Sequence, residues 1–119
     1  MQIVIQARNF PLTDALHSHI KRRLGFALSN IEFHIHRVLV WLSDINGPRG
    51  GADKRCHIQV VLSHLPDVVI KDTETDLYIA IDRAADRAGR TTKIRLSQQR
   101  TKGRTSRTYD MELFDEYSN

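Results

Sequence analysis

The 119-residue sequence predicts an α+β fold of two layers, with element order β-α-β-β-β-α and two helices covering one face of a four-stranded sheet. Three observations carry this expectation. Apolar residues recur at helical spacing in two stretches, four other stretches read as strands, and the last three strands are separated by turn chemistry rather than by a helix. The first two strands, joined through a helix, can lie parallel, whereas the later ones should pair antiparallel through short turns.

Alternation over Gln2-Ile3-Val4-Ile5-Gln6 marks the first strand, and Pro11, which has no N–H to donate, breaks the ladder after it. Thr13 follows as a helix N-cap. Ala15, Leu16, Ile20, Leu24, Ala27 and Leu28 form the apolar side of an amphipathic helix over residues 14–29, which also carries the basic run Lys21, Arg22 and Arg23. Residues 35–42 make a second strand whose near-continuous apolar run suits a central strand buried on both faces. Asn46-Gly47-Pro48-Arg49-Gly50-Gly51 is turn chemistry and, with residues 52–55, predicts a mobile hairpin loop bearing Arg49, Lys54 and Arg55. Strands over 56–62 and 68–70 follow, separated by the Leu65-Pro66-Asp67 turn. Asp72 or Thr73 is the expected cap of a long second helix, with Leu77, Ile81, Ala84, Ala85 and Ala88 on its buried side. Gly89, Thr91 and Thr92 weaken that helix midway, so its distal half is expected to need tertiary contacts or a ligand. The expected domain spans residues 1–102, with a flexible acidic tail over 103–119.

Composition narrows the function classes. With 40% hydrophobic and 27% charged residues the chain reads as a soluble single domain, and its apolar runs are too short to span a membrane. The N-terminus has no secretory-signal pattern, so a cytoplasmic location is expected. A single cysteine, Cys56, excludes an internal disulfide framework and cannot alone supply a structural zinc site.

Charge is distributed unevenly. Residues 82–107 hold nine basic and two acidic groups, whereas residues 108–119 hold four acidic groups and no basic one. A basic segment of this density attracts polyanions, and the acidic end can compete for it within the chain. Arg83, Arg87, Arg90 and Lys93 are spaced four, three and three apart, so they project from one stripe of the helix and can track phosphates along an RNA backbone. Arg100 lies farther along the same segment and completes the candidate set with Lys21, Arg22 and Arg23. The plainer alternative is a solvated helix face steadied by pairs such as Asp86 with Arg90 at i+4.

Other chemistries find little support. His34 and His36 beside Cys56 and His57 make a metal site conceivable, but no paired ligand spacing backs it. Cys56 as a nucleophile lacks a third, orienting group, and a buried small residue is the simpler reading. The glycine-rich loop lacks the ending and the following helix of a phosphate-binding loop. No RNP1-like pattern is present and Trp41 sits within an apolar run, so recognition should favour backbone and shape over single bases. No enzyme activity, metal, cofactor or small-molecule substrate is expected.

The segment Asp76-Leu77-Tyr78-Ile79-Ala80-Ile81-Asp82, followed by Arg87 and Arg90, resembles the start of the last helix in the ribosome hibernation-promoting factors, the ribosome-associated inhibitor or S30EA-type proteins. Thr13-Asp14-Ala15-Leu16 and Arg23-Leu24 also fit, and the likeness covers about residues 1–100. It departs at Phe26, where a lysine is usual, and at Ile94, whose basic counterpart is shifted to Lys93. The resemblance implies a fold like the double-stranded RNA-binding domain. It also implies binding to the small ribosomal subunit in the mRNA and tRNA channel, silencing translation in starvation or stationary phase, with Arg23, Arg87 and Arg90 on rRNA. A monomer of the short type is expected, without self-driven ribosome dimerisation. A general structured-RNA binder and a protein-interaction adaptor are the alternatives.

Overall fold

Describing residues 1–45 and 53–109, with side chains to residue 99, the computed structural model has the expected element order. The elements are β1 (Gln2–Arg8), α1 (Asp14–Ala27), β2 (Ile35–Asp44), β3 (Lys54–Leu62), β4 (Val68–Glu74) and α2 (Leu77–Tyr109). A single 3₁₀ turn, Glu32–His34, leads into β2. The sheet order is β1-β2-β3-β4, with β1 parallel to β2 and the remaining pairs antiparallel. This is the predicted α+β architecture.

Local chemistry explains the boundaries of α1. The Thr13 hydroxyl accepts from the Leu16 N–H at 3.1 Å, satisfying a donor that the helix itself leaves open. At the other end the chain turns through Asn30 at φ 73°, a left-handed conformation that asparagine tolerates better than most residues. Leu16, Ile20, Leu24 and Leu28 are buried in one core with Ile35, Val38, Val40 and Leu42 of β2 and Cys56, Ile58, Val60 and Leu62 of β3.

Both helices contribute to that core, and no described element covers the opposite face of the sheet. Along β2 the buried positions alternate with half-buried or exposed ones, so Leu39 and Trp41 sit on the open face. The strand is central, as expected, yet it is not buried on both sides. Its apolar run misleads because hydrophobic residues occupy both faces while only one is packed.

The start of α2 also departs from expectation. β4 continues through Lys71, Asp72, Thr73 and Glu74, and the cap is Asp76, whose Oδ1 accepts from the Tyr78 N–H at 2.8 Å. Asp72 and Glu74 are therefore strand residues on the helix-facing side, in register with the side of Cys56 and Lys54. Lys54 and Arg55 likewise open β3 instead of lying in the loop; Lys54 Nζ meets Asp53 at 2.9 Å and Asp44 at 3.4 Å. The turn sequence at 46–52 lies outside the described residues.

On α2 the buried side comprises Ala80, Ile81, Ala84, Ala85, Ala88, Thr92 and Leu96. Gly89 supports the close crossing with α1: a Cβ placed there would stand 2.6 Å from the Ala27 carbonyl oxygen. The distal half is tied down by Arg95, which donates to the carbonyls of Pro66 and Asp67 at 3.1 and 3.0 Å. The helix runs through Gly103 to Tyr109, so the expected start of the tail does not coincide with its end. Residues 110–119, with the acidic groups, lie outside the described residues.

Candidate nucleic-acid interface

A helix turns about 100° per residue, so the four cations of the α2 stripe fall within roughly 120° of arc on the side opposite the buried alanines. Arg83, Arg87, Arg90 and Lys93 are all exposed. Their partners divide them into two kinds. Arg83 Nε lies 3.5 Å from Glu74, and Arg87 Nη1 lies 2.9 Å from both Asp72 Oδ2 and the Lys71 carbonyl. These two arginines lean across to β4 and tie the helix to the sheet. Arg90 and Lys93 have no ion pair or hydrogen bond among the described residues, and their charge is open to an external anion.

Arg23 is the α1 residue that joins this neighbourhood. Its Nε lies 3.1 Å from Asp82 and its Nη2 lies 3.4 Å from Asp86, so one guanidinium bridges the two helices. His19 adds to the same junction, with Nε2 at 2.7 Å from Asp82 Oδ1 and its ring edge-on to Tyr78 at 4.8 Å. Asp86 is thus engaged with α1, and the intrahelical Asp86–Arg90 pair read from the sequence is replaced by an interhelical one. The exchange leaves Arg90 free of its own carboxylate neighbour.

The basic run on α1 does not act as one cluster. Consecutive residues fan out, and Lys21 stands about 160° around the helix from Arg23. Arg22, between them, approaches His19 Nδ1 at 3.4 Å. Lys21 and Arg22 are exposed, but Lys21 belongs to the side of α1 away from Arg23. Arg100 lies within α2, and its side chain is outside the described residues.

Cys56 and His57 cannot share a metal, because adjacent strand residues point to opposite faces: Cys56 is fully buried under the helices and His57 is on the open side. Burial, with the Asp72 charge nearby, pushes the Cys56 thiol up to about 12, which removes it as a nucleophile near neutrality. The unfolded chain ionises this thiol near its ordinary value of 9.0 and the folded one does not until about 12, so stability falls as pH rises through that window. The limiting slope is about 1.4 kcal/mol per pH unit. Melting temperatures recorded at several alkaline pH values should decline less steeply for Cys56→Ala than for the parent; parallel curves would disprove the assignment.

Sequence reasoning passed over the open face of the sheet. Trp41 and His57 are cross-strand partners with ring centroids 4.8 Å apart, and they border a cleft of about 340 Å³ that also includes Gln6, Arg8, Ser43 and Arg55. Period-two alternation of tryptophan and histidine with buried valines and isoleucines was the available signal. Burial and the neighbouring Lys71 and Arg55 lower the His57 pKa, which keeps the ring neutral near pH 7.

Comparison with known proteins places this geometry. Residues 3–100 match the family described as "Sigma 54 modulation protein / S30EA ribosomal protein". Among solved structures, the chain is similar to the N-terminal domain of Protein Y from Thermus thermophilus, at 29% identity and a TM-score of 0.64, covering 78% of this chain and 97% of that one. A ribosomal subunit interface protein from Coxiella burnetii has the same fold, at 14% identity and a TM-score of 0.64, over 85% of this chain and 99% of that one. No curated protein sequence gives a significant match.

Proposed function

The chain belongs to the sigma 54 modulation protein / S30EA ribosomal protein family, a family of non-enzymatic ribosome-associated factors, and from that membership we propose that it binds rRNA of the small ribosomal subunit and inhibits translation. The observation that carries the reading is the exposed α2 stripe, where Arg90 and Lys93 have no charged partner among the described residues and stand beside Arg83 and Arg87. Such a stripe meets a phosphate backbone without reading bases, because each cation displaces condensed counterions and gains a charge-assisted hydrogen bond. Binding in the mRNA and tRNA channel would act by occupancy, with no bond made or broken, which suits a protein made in starvation or stationary phase and acting in the cytoplasm as a monomer. Arg23 contributes from α1, and Arg100, farther along α2, is a further contact in this reading. No helix among the described residues is long and apolar enough to cross a membrane.

Sedimentation with purified small subunits tests this. The protein should co-sediment at low salt and be released as salt rises, with chemical footprints on small-subunit rRNA lining the channel. Equal affinity for an unrelated RNA duplex would favour a general structured-RNA binder instead, and co-sedimentation insensitive to salt would exclude phosphate contacts as its basis.

A further inference from the structure

The open face of the sheet is chemically unlike the helical one. By register, Gln6, Trp41, His57 and Lys71 form one row across the four strands, and Arg8, Ser43 and Arg55 form the next. Arg37 lies on the same face, paired with Gln2. Four cations thus share a surface on which no strand position holds an aspartate or glutamate, since Asp72 and Glu74 point to the helices. Asp67 bonds to Gln59, which lies on this face of β3 two positions from His57, and neither residue lines the cleft. Arg55 has no ion pair among the described residues, and its Nε, although shielded from solvent, finds no acceptor there. A donor of this kind is costly to leave unbonded, and an anion arriving in the cleft would satisfy it.

We propose that this cleft is a second binding site, which takes a single-stranded nucleic acid with one base packed against the Trp41–His57 pair and its phosphates between Arg8 and Arg55. Aromatic surface combined with a positively charged groove is the chemistry that holds unpaired strands, because every base offers a π-face and every linkage a charge. A duplex, whose bases are stacked inside, has nothing to offer Trp41. An acidic peptide would satisfy the arginines and leave the aromatic pair unused. The cleft volume of about 340 Å³ is at the lower end of small-molecule sites and suits one nucleotide better than a folded partner. The site is independent of the rRNA reading, since it lies on the opposite face of the sheet from α1 and α2.

Trp41 is the only tryptophan, so its emission reports on this cleft in the full chain. Titration with hexauridylate or hexathymidylate at low salt should quench that emission to saturation. Arg8→Gln with Arg55→Gln should raise the half-saturation concentration by about fivefold or more, and Arg90→Ala with Lys93→Ala should leave it within about twofold. With fluorescein-labelled oligonucleotide and anisotropy as readout, Trp41→Phe should retain binding and Trp41→Ala should weaken it by about fivefold or more. Circular dichroism establishes that each variant is folded, and the arginine pair decides the matter if Trp41→Ala is not. Absence of quenching up to millimolar oligonucleotide would overturn the proposal. So would equal quenching by polyglutamate, or binding that depends on the α2 cations and not on Arg8 and Arg55. Small-subunit binding left unchanged in the α2 variant, with quenching intact, would refute the rRNA reading of α2 alone.

Discussion

Replacing Arg90 and Lys93 together by alanine should weaken binding to small ribosomal subunits by roughly 30-fold or more, with no measurable change in melting temperature. Two lost charge-assisted contacts at about 1 kcal/mol or more each give that factor. The slope of log affinity against log salt should flatten by about 2 units, one for each phosphate contact removed. Stability should hold because neither side chain has a partner among the described residues, and exposed substitutions of this kind stay within about 0.5 kcal/mol. Sedimentation at a series of salt concentrations and a thermal melt read the two quantities separately. A double variant that binds as tightly as the parent would remove α2 from the interface.

Arg87 behaves differently, and the reason is structural. Its guanidinium holds Asp72, whose side chain is only 13% exposed, and also bonds to the Lys71 carbonyl. Arg87→Ala therefore loosens α2 from β4 as well as removing a cation, so a weakened interaction with rRNA in that variant mixes two effects. The spacing of the stripe suggests a residue with purely external duties; only the position of β4 reveals the second one.

The second large effect concerns the crossing of the helices. Gly89→Ala should lower stability by up to about 2 kcal/mol, a fall of as much as roughly 8 °C in melting temperature. The new methyl would lie 2.6 Å from the Ala27 carbonyl oxygen and 3.1 Å from its Cβ, and a backbone atom cannot rotate out of the way. Overpacking of this sort costs about 1–3 kcal/mol, and the better helix propensity of alanine returns about 1 kcal/mol. Gly25→Ala in α1 is the matched control. Nothing lies within 4 Å of a Cβ there, so only the propensity term remains and the melting temperature should rise. If both alanine variants shift in the same direction, the tight crossing is not what Gly89 serves.

The contrast between these glycines shows where sequence reading stops. Helical period, the Thr13 cap and the four strands were legible because each depends on neighbours in sequence. Gly89 reads as a weak point in α2, since the partner that requires it, Ala27, is 62 positions away. The cap of α2 was displaced from Asp72 or Thr73 to Asp76 because a polar strand end and a helix start use the same residue types, and pairing with β3 decides between them. For the candidate interface, the α2 stripe follows from spacing alone. The release of Arg90 by Arg23's capture of Asp86, the divergence of Lys21 from Arg23 and the pairing of Trp41 with His57 all depend on tertiary geometry.

The parallel pairing of β1 with β2 has an effect on how the molecule assembles. Gln2 meets Arg37 across a span of 35 residues, and among the described residues β1 has no other strand beside it. Closing such a span costs about 3 kcal/mol of chain entropy before any ladder bond repays it, whereas the hairpins between β2, β3 and β4 close locally. β1, made before β2, therefore waits for its neighbour, and joins a sheet whose other members can already have zipped together.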